Sequence, residues 1–562
     1  MKMVTFPVAL LLASCATLPA APRYDRLVRG GTIVDGSGGA PFTGDVGIRG
    51  DRIVAVAPHL DGTAARTIDA HGLAVAPGFV NMLSWAGDAL IEDGAGESDI
   101  RQGVTLEVMG EGWSEGPLND KMIADSLKQQ GDLKHPISWH TLREYQAFME
   151  RRGIAPNIAS FVGATTVRMH ELGEDDVDPS PAQLAAMQNL VRAAMNEGAM
   201  GLGSSLIYAP ATYAETPELI ALATASAACG GRYISHIRDE GRRLIESIDE
   251  LVSIARAAHG GAEIYHYKQA GRDNWGKLDV AIARVEDARR AGLDVTADMY
   301  NYPASATGLD AAMPTWVQAG GYDAWAKRLA DPATRHRVLA EMRSGTTDWV
   351  SGITDAGGGG GVMLVGLKNP ALKHYTGRTL ADVAKERGVS VEDAAIDLVI
   401  ADGSRVEVVY FEMNEANVAR QVALPWMSFG SDAEASAPRG KFLLSSTHPR
   451  AYGNVARLLG KYVRDEKRLS LAEAVRKLTS LPTSNLGLTD RGLVRPGMIA
   501  DLAIFDPATI ADRATFEQPQ QFAVGMRHVL VNGRAVLSEG EMTGERPGRA
   551  VLGPGTGRCP QH

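Results

Sequence analysis

Four side chains stand where this sequence could do chemistry. Of 13 histidines, His236 and His266 close short apolar runs, in Tyr233-Ile234-Ser235-His236-Ile237-Arg238 and Ile264-Tyr265-His266-Tyr267-Lys268. Glu111 follows the apolar run Val104 to Gly110, and Asp432 ends Phe429-Gly430-Ser431-Asp432. Two imidazoles and a carboxylate can hold a divalent cation such as Zn2+ with one position left open for water. A further carboxylate beside that water can serve as general base and then as general acid. Each residue also has a plainer reading taken alone. A strand-end histidine can be structural, Asp432 can cap a following helix, and Glu111 can be a solvated loop carboxylate. Their joint placement at the ends of four runs favours a metal site of Glu111, His236 and His266, with Asp432 as the proton carrier.

The elements that must position these residues are legible as a rhythm. Eight strand-like runs alternate with helical stretches: Ala74 to Leu83, Val104 to Gly110, Asn157 to Gly163, Ala199 to Ser205, Arg232 to Arg238, Ala262 to Lys268, Leu293 to Tyr300 and Trp426 to Asp432. Alternating strands and helices indicate a parallel sheet. Eight strands suffice for a (β/α)8 TIM barrel, whose catalytic groups lie at the C-terminal strand ends. The candidates fall at the ends of strands two, five, six and eight. A long interval before the eighth run, near 305–425, holds helical material around Tyr322 to Met342 and the glycine run Gly357 to Gly361. It reads as an insertion on the barrel top, with the glycines as a flexible connector. Short alternating strands occupy 24–75 and return in 487–550, in Ala500 to Phe505 and His528 to Gly533. These are expected to form one small β-sandwich domain from both chain ends, around a barrel at 76–486, with 551–562 as a tail.

Composition narrows the function classes. The chain has 562 residues, 45% apolar and 22% charged, with 62 glycines, which suits a large loop-rich enzyme. A net charge of −10 argues against nucleic acid or an anionic membrane surface as the main partner. Lys2 and the apolar run Val4 to Leu12 fit a signal peptide, being far shorter than the roughly 20 residues of a membrane span. Leu12-Ala13-Ser14-Cys15 looks like a bacterial lipobox, so residues 1–23 are expected to be a leader and linker, with Cys15 lipidated. The alternative is an ordinary secretory signal with an incidental cysteine. The expected location is the periplasm, with a membrane contact only through that anchor. Cys229 and Cys559 remain as two distant thiols, with no disulfide framework expected.

Longer segments then carry a resemblance. Val28 to Gly36, Ala76-Pro77-Gly78-Phe79, Gly201 to Tyr208, Ser235 to Glu240, Asp294 to Tyr300, Thr447 to Gly453 and Pro496 to Asp501 resemble the D-aminoacylase (N-acyl-D-amino-acid deacylase) branch of the amidohydrolase superfamily. The more specific pairing is His448-Pro449-Arg450 with His236-x-Arg238-Asp239-Glu240. The resemblance implies that His236 and His266 hold the tightly bound metal and that Asp432 is the catalytic aspartate. It implies that Lys268, Tyr300 and Arg450 hold the carboxylate of a small substrate. Tyr208, after strand four, is read as lining the acyl side.

Two departures from the family pattern matter. Leu83-Ser84-Trp85 stands where the superfamily has His-x-His, and neither leucine nor an indole N–H can ligate a metal. Gly110-Glu111-Gly112 stands where D-aminoacylases have Gly-Asn-Cys-Gly, which puts a harder oxygen ligand in place of a thiolate. The expectation is one divalent metal, Zn2+ first and Mn2+ or Fe2+ as alternatives. The implied reaction is hydrolysis of the C–N bond of N-acyl (D-)amino acids. A cyclic amide, a dipeptide, or a silent carboxylate-binding barrel are the competing readings.

Overall fold

The computed structural model describes residues 23–346 and 349–560. Cys15 and the rest of the expected leader lie outside the described residues. The eight apolar runs are strands of one parallel barrel. In order they are Phe79–Asn81, Val104–Met109, Asn157–Ser160 continued by Val162–Gly163, Gly201–Ser205, Arg232–His236, Ala262–Ile264, Val295–Met299 and Met427–Phe429. Each pairs in parallel with the next. The ring closes where Met82 N–H donates to the Phe429 carbonyl at 3.0 Å. Strand side chains alternate between two faces. One set from strands one to six and their flanks (Val80, Met82, Leu106, Val108, Ala159, Phe161, Met200, Ile234, Tyr265) forms its own apolar cluster. The other set, including Ala262, Ile264, Val295, Ala297 and Met299, packs into a larger cluster with the helices.

The first run is not one strand. Ala74–Pro77 joins a sheet built from the chain ends, and Phe79–Asn81 begins the barrel. Gly78 makes the break: its N–H donates to Asp501 O, and a Cβ there would lie 2.1 Å from Thr105 Oγ1. The end-built sheet has nine strands. Its N-terminal strands and those from Leu502–Phe505 onward meet through the antiparallel pairing of Ala74–Pro77 with Leu502–Phe505.

Between strands seven and eight, Ser305–Gly308, Val362–Gly366 and Glu407–Tyr410 make a small antiparallel sheet. Helices Gly321–Ala330, Pro332–Ser344 and Val391–Asp402 cover it with a separate apolar core that includes Leu309, Trp325, Val338, Ile396 and Val408. The glycine run is not a loose connector. Gly359–Gly361 is a helical turn leading into Val362–Gly366, and a Cβ on Gly361 would lie 2.0 Å from Ala356 O.

The expectation of two separate thiols is also corrected: Cys229 and Cys559 form a disulfide. The tail runs back along the start of strands three and four, through Val551 N–H to Ile158 O and Gly553 N–H to Gly198 O. That path brings Cys559 to Cys229, just beyond the helix Thr216–Ala227. No described helix is long and apolar enough to cross a membrane.

Candidate active site and metal centre

The strand ends bring Glu111, His236 and His266 to one buried point, their ligating atoms all within 4.8 Å of one another. Glu111 Oε1 is 3.0 Å from His236 Nδ1 and 2.9 Å from His266 Nε2. Glu111 is presented by a turn that needs glycine on both sides. Gly110 and Gly112 have φ of +105° and +71°, and a Cβ on Gly112 would meet Ser205 Oγ at 2.1 Å. His266 has φ +34° and Asp432 φ +49°. This left-handed backbone costs a side-chain-bearing residue about 1–2 kcal/mol. Tertiary bonds hold both turns: His266 N–H donates to Asp298 Oδ1 at 2.9 Å, and Asp432 N–H to Leu83 O at 2.9 Å. Two borderline-soft nitrogens and a carboxylate oxygen, buried and convergent, fit Zn2+.

The electrostatics follow from that crowding. Burial pushes the Glu111 carboxyl up, but His266 and His236 outweigh it and hold it well below the usual range. Burial and the Lys268 ammonium oppose a charged His266, yet Glu240 and Glu111 bring that ring up to about 10. Burial lowers His236, with the neighbouring carboxylates working against it. Asp432 is raised, by burial first, with Arg450 pulling the other way. A raised carboxyl suits a group that must take up a proton and release it.

Arg450 opens the helix Arg450–Arg457, and its guanidinium lies 4.3 Å over the Tyr300 ring. His448 holds that turn: its Nδ1 accepts the Arg450 N–H at 3.0 Å while Nε2 donates to Ala304 O at 3.0 Å. This fixes the neutral tautomer, and burial keeps the ring far below its ordinary value. Arg450 Nη2 pairs with Asp432 Oδ2 at 2.8 Å. Its Nε and Nη1, like the Tyr300 hydroxyl, are buried without a hydrogen-bond partner. Lys268 is placed differently from the other two expected carboxylate holders. Its ammonium donates to Glu240 Oε1, and its Nζ lies 2.7 Å from His266 Nδ1. Tyr208 meets the His236 ring edge-on at 5.2 Å, and its hydroxyl bonds Thr307 Oγ1 of the inserted sheet. All these residues line one cavity of about 1560 Å³.

Sequence reasoning gives no role to three residues of this site. Glu240 Oε1 is 3.0 Å from His266 Nδ1, and Oε2 is 3.5 Å from His236 Nε2. A carboxylate behind a ligating imidazole fixes its orientation and raises its basicity. Its signal was present in the motif that begins at His236, four residues before it. The sequence marks Trp85 only as a residue that cannot ligate a metal. Its indole Nε1–H lies 3.1 Å from both Glu111 Oε2 and Asp432 Oδ1. Glu412, which accepts from Ser305 Oγ and is pushed up to about 7 by burial, also faces the cavity without a signal in the sequence.

Known proteins share the fold and the family. The Amidohydrolase family matches residues 427–537. A D-aminoacylase from Alcaligenes xylosoxydans xylosoxydans is 32% identical over 94% of this chain and 97% of its own length. Among solved structures, a D-aminoacylase with a binuclear metal centre, activated by one metal and attenuated by a second, superposes with a TM-score of 0.76. It is 32% identical over 94% of this chain and all of that one. The Bordetella bronchiseptica N-acyl-D-glutamate deacylase, complexed with zinc and a phosphonate mimic of the tetrahedral intermediate, also gives 0.76 at 28% identity, over 94% of this chain and all of its own. With nearly its whole length matched at that identity, the chain belongs to the D-aminoacylase family of metal-dependent amidohydrolases, enzymes that hydrolyse amide C–N bonds.

Proposed function

We propose that this protein deacylates N-acyl D-amino acids at a single-metal centre held by Glu111, His236 and His266. The observation that carries the reading is one wall of the cavity. There the three ligating groups, the raised carboxyl of Asp432 and the unpartnered donors of Arg450 and Tyr300 lie side by side. When bound, the cation polarises the amide carbonyl and acidifies water. Asp432 accepts the proton of the attacking water and returns it to the leaving nitrogen. Arg450 Nε and Nη1 with the Tyr300 hydroxyl hold the substrate carboxylate, a geometry the guanidinium fork matches. Glu240 keeps the His266 ring in place, and Lys268 acts mainly by balancing Glu240. Tyr208 lines the acyl side.

A single metal is favoured because Leu83 is buried in the apolar cluster of the barrel strands and Trp85 offers only a donor. Zinc is favoured by the donor set and by the zinc complex of the Bordetella relative. The D configuration is taken from the activities of the relatives. Lipidation at Cys15 rests on the leader sequence alone; export itself also gains support from the Cys229–Cys559 disulfide, since such bonds persist in oxidising compartments.

Elemental analysis coupled to a substrate panel tests the reading. The purified protein is expected to carry one zinc per chain. It should hydrolyse N-acetyl D-amino acids over their L enantiomers, hydantoins and dipeptides. Asp432→Asn should keep the metal and lose roughly 10²–10⁴-fold in kcat. Full hydrolysis by His236→Ala would sink the assignment.

A further inference from the structure

Trp85 stands out because its contacts are too specific for a residue that merely fills a vacated position. Strand one leaves the barrel beside strand eight, with Trp85 N–H donating to Ala433 O at 3.0 Å and Ser84 bridged to Ala433. This ladder sets the indole over the gap between Glu111 and Asp432. Glu111 uses Oε1 for the two histidines and Oε2 for the indole. Asp432 uses Oδ2 for Arg450 and Oδ1 for the indole. An indole Nε1 is a donor only, so the direction of both contacts is free of any tautomer choice. Two buried carboxylates this close repel each other unless something between them donates.

We propose that Trp85 is a positioning residue whose indole N–H bridges the ligand carboxylate of Glu111 and the base carboxylate of Asp432, doing in a one-metal site what a second cation could otherwise do. A neutral donor fixes both carboxylates without adding the positive charge that would weaken Asp432 as a base. The proposal rests on the deacylase reading for its kinetic consequence, but the bridge itself is a property of the folded chain. The Trp85 side chain is 41% exposed at the cavity, so altering it opens no sealed core void.

The test replaces Trp85 with β-(3-benzothienyl)alanine, which keeps the ring shape and removes the N–H, with Trp85→Phe as a second variant. Both are expected to bind one zinc per chain and to change KM less than about threefold. The kcat on an N-acetyl D-amino acid should fall about 10- to 100-fold, the range for losing a hydrogen bond to a charged group. Wild-type kcat in both variants overturns the proposal. An activity-free readout uses the indole 1H–15N resonance of Trp85, assigned by its loss in Trp85→Phe. It should move in metal-free Glu111→Gln and Asp432→Asn; an unmoved resonance in both overturns the bridge. If the wild type hydrolyses no N-acyl amino acid but the resonance moves, the deacylase reading falls and the bridge stands.

Discussion

Arg450 has a structural contact and, on the proposed reading, a recognition role as well. Its guanidinium pairs with Asp432, as a barrel-top salt bridge would, yet Nε and Nη1 stay buried and unpartnered. Buried polar groups left without partners are costly, roughly 1–3 kcal/mol each. A substrate carboxylate would supply acceptors to these donors in the paired geometry the guanidinium offers. The backbone supports the same use: His448 is committed, through both ring nitrogens, to holding the turn that aims Arg450. Lysine keeps the charge but loses the fork. Arg450→Lys should raise KM for an N-acetyl D-amino acid by about 10- to 100-fold, roughly one or two charge-assisted hydrogen bonds, with zinc content unchanged. Steady-state kinetics alongside elemental analysis checks both parts. An unchanged KM would return Arg450 to a salt bridge alone.

At the scale of elements, the barrel strands position the ligands and also carry a pH-dependent strain of their own. Glu107 on strand two and Asp99 on the short helix Glu97–Ile100 are fully buried, and Asn81 Nδ2 donates to both. Burial pushes Glu107 up to about 7, with its hydrogen-bond partners pulling back; burial first, and then the Glu107 charge, raise Asp99 well above its ordinary value. A carboxyl whose folded value lies above its unfolded one binds more protons when folded, so stability falls as pH rises. For Glu107 that loss runs from the ordinary 4.5 to about 7 and then levels off. Glu107→Gln should flatten this part of the stability profile and make the protein more stable than wild type at pH 8, as read by urea unfolding between pH 5 and 8. A variant that keeps the wild-type slope would place the proton uptake elsewhere. The strands themselves were legible because a buried parallel strand reads as a short apolar run between turn residues. The split of Ala74 to Leu83 between two sheets was not, because both halves are equally apolar. Only the close approach of Gly78 to Thr105 and Asp501 separates them.

Across the whole molecule, both chain ends return to the barrel. The N-terminal strands and the strands after residue 500 share one sheet, and the tail is fastened under strands three and four by the disulfide. Cys229 and Cys559 are 330 residues apart, and closing so long a loop restricts the unfolded chain. Cys559→Ser should lower stability by about 2–4 kcal/mol, measured as a drop in the thermal or urea midpoint. The kcat should stay within about twofold, because the metal centre lies at the opposite ends of the strands. A variant with unchanged stability would show that the tail bonds alone hold that end.

The sequence by itself determined the strand count, the barrel class and the four residues at its chemical end, because these depend on local periodicity and on the fixed rule that strand ends carry the site. Tertiary structure alone decided what Trp85, Glu240 and Arg450 do with their polar atoms, which cysteines meet, and where one apolar run divides. Those outcomes depend on which residues from distant strands approach within hydrogen-bond reach, and spacing along a chain does not encode a distance in space.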